Sequence, residues 1–96
     1  MRFADLVDRQ LALFREDYAD VIDACRAAER AYDRAPREEA EKRYAAYLEL
    51  VEECTDGLAA IRDAYAATLD QESAEEYARL FDREVGRNLP KFALGS

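Results

Sequence analysis

Two thiols, six phenols and an excess of carboxylates are the side chains of this sequence that could do chemistry; histidine is absent. Its absence removes the usual general base, the usual proton shuttle and the commonest transition-metal ligand. It also removes the Glu-x-x-His pairs on which di-metal helical bundles are built. No glycine-rich loop offers its amides to a phosphate. The carboxylates form two groups, Glu16, Asp20 and Asp23 early in the chain and Glu49, Glu52, Glu53 and Asp56 later. Carboxylates that converge can hold Ca2+ or Mg2+, but spaced along outward helix faces they read as solvated surface. What Cys25, Cys54 and the tyrosines can do depends on the elements that carry them.

Ala, Glu, Arg and Leu dominate a chain of 96 residues, half of them apolar, and only three Gly and two Pro interrupt it. These are strong helix formers, so an all-α fold in a single helical domain, residues 1–96, is expected. Apolar side chains recur in steps of four and three at Phe3, Val7, Leu11, Phe14, Tyr18, Val21, Cys25, Ala28 and Tyr32. The rhythm resumes at Ala40, Tyr44, Tyr47, Val51, Cys54, Leu58, Ile61, Tyr65 and Leu69. Folded about Pro36, the two series pair level by level, from Tyr32 with Ala40 out to Phe3 with Leu69. Mirror symmetry of this kind is what two antiparallel helices joined by a tight bend require.

The spacing therefore predicts an antiparallel helical hairpin of two long helices, with a shorter third helix packed on its open end to complete a three-helix bundle. Helix 1 is expected at about 2–33, helix 2 at about 36–69, helix 3 at about 74–88 and a tail at 89–96. Pro36 is assigned the first position of helix 2, where its missing N–H costs nothing, and the bend covers Asp33 to Pro36. Ser73 with Glu76 reads as a capping box for helix 3, with Asp70 as a competing cap one turn earlier. Pro90 ends that helix.

A hairpin has two flanks. One carries Phe3, Leu6 and Leu13 facing Gly57, Ala60, Ala64 and Ala67, a wall of bulk against a wall of small residues. Helix 3 is expected in that groove, with Arg83 and Arg87 reaching Asp17, Asp20 and Glu53. The tail would then run along Ala24, Ala27, Ala46 and Leu50. Gly57 is read as a point of close approach by a neighbouring helix. The opposite flank, with Ala19, Ile22, Ala45, Leu48 and Thr55 at its centre, is left uncovered and is the expected interface, in a homodimer or with another protein.

Within the hairpin, Cys25 and Cys54 stand about seven residues out of register, roughly 10 Å along the axis, too far for a disulfide. They read as buried, inert thiols. The tyrosines read as core, with hydroxyls at its edge. No catalytic, metal or cofactor-binding residue is assigned, and no cofactor is expected. A net charge of −8, from 22 acidic and 14 basic residues, argues against nucleic acid, which needs a basic face. No run approaches the ~20 apolar residues of a membrane span, and acids interrupt "MRFADLVDRQ" where a secretion signal needs an apolar stretch. A cytoplasmic location follows, and the preference for Arg over Lys suggests a bacterial genome. The expected role is non-enzymatic, through protein–protein contacts. The alternative is a ligand- or metal-binding bundle using the tyrosine-lined seam or the surface carboxylates.

Overall fold

A computed structural model describes residues 2–94. Over these residues the fold is all-α, with four helices where three were predicted. They are α1 (Ala4–Asp17), α2 (Ala19–Arg34), α3 (Arg37–Ala66) and α4 (Gln71–Asn88), followed by a 3-10 turn at Pro90–Phe92. Of the tail expected at 89–96, Gly95 and Ser96 lie outside the described residues.

The extra helix arises because the first long arm breaks at Tyr18, whose φ of −104° and ψ of 15° leave the helical region. The hydrogen-bond ladder survives on both sides, from Tyr18 N–H to Phe14 O (2.9 Å) and from Ile22 N–H to Tyr18 O (2.8 Å). The arm therefore bends without parting. The Tyr18 ring stacks on Phe14, centroids 4.5 Å apart, and lies over Gly57. A Cβ added at 57 would stand 2.5 Å from Tyr18 Cζ. Gly57 is thus a point of close approach, but for an aromatic ring of α1–α2 and not for a third helix.

α2 passes into α3 through two residues, Ala35 and Pro36, both extended with ψ of 138° and 159°. A proline drives the residue before it out of the helical region, which ends α2 at Arg34. Pro36 caps α3 from outside instead of occupying its first turn, so the bend is shorter than predicted. Beyond it the arms run back past each other, with Tyr32 against Tyr44, centroids 5.1 Å apart, and Tyr18 against Gly57. α3 ends at Ala66, three residues before the expected limit. Thr68 closes the turn by donating its hydroxyl to Tyr65 O at 2.7 Å.

α4 starts at Gln71 with Asp70 as its cap residue, one turn earlier than the Ser73 cap predicted. Ala74 N–H reaches Asp70 O at 2.8 Å to open the helix. Ser73 is already engaged: its hydroxyl accepts a hydrogen bond from Arg2 at 2.5 Å. The Asp70 carboxyl beside the Ser73 hydroxyl and amide is held below its ordinary pKa.

The third long element does not take the groove expected for it. The end of α4, at Asn88 and Leu89, lines clefts with Leu11, Ala12 and Arg15 and with Ala19 and Ile22. Asp82 accepts from Arg62 at 2.9 Å. Those residues belong to the Ile22 flank. On the other flank Leu13 is 52% exposed, and Ala60, Ala64 and Ala67 are open to solvent. The Tyr18 ring fills the notch at Gly57. α4 packs against α1 and α3, and Tyr77 inserts between them. The Tyr77 ring meets Phe3, Tyr65 and Phe81 at 5.6, 4.8 and 5.9 Å and is wholly buried.

The core follows from this insertion. Val7, Leu11 and Phe14 of α1, Cys54 and Leu58 of α3, and Tyr77, Phe81 and Val85 of α4 form its centre at the open end of the arms. α4's 18 residues reach about 27 Å whereas α3's 30 residues reach about 45 Å. Near the bend only two helices face each other, and the seam residues Tyr32 and Tyr44 stay 38% and 43% exposed.

Candidate functional site

The five residues expected to form an interface are not left together on an empty flank. Ile22 is half-buried beneath the C-terminal segment and lines a largely apolar cleft of about 180 Å3 with Cys25, Leu89 and Phe92. Thr55 is half-buried, whereas Ala19 and Ala45 are exposed and Leu48 is 39% exposed. Phe92 is buried to 5% exposure, and Lys91 forms an ion pair with Glu29 of α2. Arg15 donates to Asn88 O at 3.2 Å, fixing the end of α4 to α1. The tail thus lies over Ile22, Cys25 and Glu29, and Ala24, Ala27 and Ala46, where it was expected, are exposed.

α4 lies on the side away from Asp17, Asp20 and Glu53, the acids its arginines were expected to reach. Arg87 pairs with Glu84 of its own helix at 3.2 Å. Arg83 lies beside Glu76, Arg79 and Leu80. Arg62–Asp82 does join α4 to α3, and both of its side chains are mostly shielded. Hydrogen bonding to Asp63 and then to Asp82 raises the Arg62 pKa.

Both cysteines are free and buried. Burial pushes the Cys54 thiol up to about 11 and raises Cys25, against which the nearby Lys91 charge works. A thiol held protonated is a poor nucleophile and a poor metal ligand. The tyrosines divide. Tyr77 is buried and donates to Gln10 Oε1 at 2.7 Å, while Tyr32 and Tyr44 stand at the surface near the bend. Burial raises the hydroxyl pKa of both Tyr77 and Tyr47. Every buried side-chain nitrogen and oxygen among the described residues has a hydrogen-bond partner. The carboxylates Glu16, Asp20, Asp23, Glu49, Glu52, Glu53 and Asp56 are all exposed. Among the described residues no group of three or more Cys, Asp or Glu side chains converges on a point.

What periodicity did not locate is the exposure of Leu13, Tyr32 and Tyr44; Leu48 belongs to the flank it left uncovered. One signal for the two tyrosines was available in the lengths: a helix half as long as the arms leaves the seam near the bend without a third wall. No family model matches the chain, and no curated protein or solved structure matches it.

Proposed function

We propose that the protein is a small non-enzymatic helical protein that works in the cytoplasm through protein–protein contacts, as a homodimer or an adaptor. Its architecture in this reading is a helical hairpin steadied by a shorter helix at its open end. The observation that supports the reading is the partial cover of the two long arms. The core is closed by α4 at one end, while Leu13, Tyr32, Tyr44 and Leu48 remain exposed along the arms. Exposed tyrosines on helices are side chains that partner surfaces use as anchors. No helix of the described residues is long and apolar enough to cross a membrane.

The ligand- or metal-binding alternative needs a cavity among the tyrosines or carboxylates that meet. Tyr32 and Tyr44 face solvent and the carboxylates point outward, so neither condition draws support. The test is photo-crosslinking in the native host, with benzoylphenylalanine placed at Leu13, Tyr44 or Leu48 one at a time. The reading expects discrete adducts of defined mass at one or more of these positions. No adduct at any of the three would contradict it.

A further inference from the structure

Residues 89–94 are held to the long arms by side chains. Their backbone hydrogen bonds stay within the segment or reach α4: Leu89 N–H to Val85 O at 2.7 Å, Phe92 N–H to Leu89 O at 2.9 Å and Ala93 N–H to Pro90 O at 3.3 Å. Among the described residues no backbone hydrogen bond joins them to α2 or α3. The 3-10 turn packs against α3, Phe92 is buried, and Lys91 crosses to Glu29 of α2. Burial raises the pKa of Cys25 and Tyr47, and both groups also feel the charges of Lys91 and Glu29, so these four side chains meet at one place. Arg26, one turn before Glu29, already stands beside Asp23 at 3.6 Å. The seat is larger than its occupant. Beside Phe92 an apolar cleft of about 180 Å3 runs between Ile22, Cys25 and Leu89, and past Arg26 and Asn88 it adjoins a more polar one of about 390 Å3. On α3, Tyr44 and Leu48, three residues and one residue from Tyr47, are 43% and 39% exposed. α4 does not depend on the segment: Arg15 holds Asn88 O, and Tyr77, Phe81 and Val85 are wholly buried. Lifting residues 89–94 is therefore a local opening that leaves the core closed.

We propose that the groove between α2 and α3 from Ile22 to Tyr44 is a docking site for a linear peptide segment of a partner protein, and that residues 89–94 close it in the free chain. This rests on the protein–protein reading above and names its site. The chemistry of the partner segment is that of the residues it displaces: an aromatic anchor for the Ile22–Cys25 cleft, preceded by a cation for Glu29. The Lys91–Glu29 pair is partly exposed and holds the segment weakly, so Phe92 is its main anchor. A tethered segment competes at an effective concentration on the order of mM, and the open fraction sets the apparent affinity of any competitor. A partner side chain that fills the cleft beside Phe92 makes contacts that the segment forgoes, and this is how it displaces the segment.

A synthetic peptide of residues 88–94, NLPKFAL, tests this on the full chain, read by the rate at which a maleimide modifies Cys25. In the Phe92→Ala chain the seat is open, and the peptide at about 5 mM is expected to slow that modification at least ~3-fold. The same peptide with alanine for its phenylalanine gives no protection, and one with tryptophan there protects at lower concentration. In wild type the tethered segment holds the seat, and the peptide leaves the Cys25 rate unchanged. Should Phe92→Ala fail to fold by circular dichroism, Lys91→Glu serves: it sets two carboxylates against each other at the surface, speeds Cys25 modification, and the peptide restores protection. No protection of either variant, or equal protection by the alanine peptide, overturns the proposal. Host adducts at Tyr44 or Leu48 without peptide protection uphold the protein–protein reading and overturn the groove, so the two fail separately.

Discussion

At the residue scale, the contact that shapes the molecule is Tyr18 on Gly57. Glycine inside a helix costs about 1 kcal/mol relative to alanine, and α3 bears that cost so that the ring can lie against its backbone. Because the ring is also held by stacking on the buried Phe14, it has nowhere cheap to go. Gly57→Ala should therefore destabilise wild type despite its better propensity, and stabilise a Tyr18→Ala background by about 1 kcal/mol. Denaturant unfolding of the four proteins measures the reversal; stabilisation in both backgrounds would show that the contact carries no strain. The thiol of Cys54 makes a second residue-level test. Its pKa in the fold is about 11, above the ordinary 9.0, so the native state holds the proton more tightly than the unfolded chain. Its contribution is complete below pH 9 and is lost as pH rises through 11. Stability should fall by about 2 kcal/mol over that interval, with the raised Tyr47, Tyr77 and Lys91 groups acting in the same direction. Cys54→Ala should flatten the part due to the thiol in unfolding curves recorded across that range; an unchanged slope would place the loss elsewhere.

At the scale of elements, the two arms were legible and the choice of flank was not. Apolar spacing in fours and threes on either side of Pro36 specified helices facing each other, and the bend lies at Ala35–Pro36 as the proline demands. The break at Tyr18 could not be read because Tyr18 itself keeps the spacing, and the residue its ring packs on, Gly57, is thirty-nine residues away. Both flanks offered alanines beside bulkier groups, so the spacing alone did not distinguish which of them receives α4. The flank expected for α4 had also set the path expected for the tail. The C-terminal segment is the element most open to test. Phe92 is almost fully buried against the cleft that holds Cys25 and Ile22. Phe92→Ala should cost about 3 kcal/mol and speed modification of Cys25 by a maleimide well beyond that of Cys54. Equal rates for the two thiols would mean that the segment does not cover α2.

For the whole molecule, shape follows from unequal lengths. A helix that closes only part of a 51 Å body leaves one flank open, with Leu13, Ala60, Ala64 and Ala67 exposed on it. Composition alone made nucleic acid and membrane spans poor prospects, yet it said nothing about which face meets a partner, because that depends on where α4 comes to rest. The measurement that bears most directly on this account is an isotope-filtered NOESY spectrum of a mixture of 13C-labelled and unlabelled chain. The account predicts contacts between Tyr65 and Tyr77 and between Tyr32 and Tyr44 within one chain. Tyr32–Tyr44 contacts seen only between chains would contradict it.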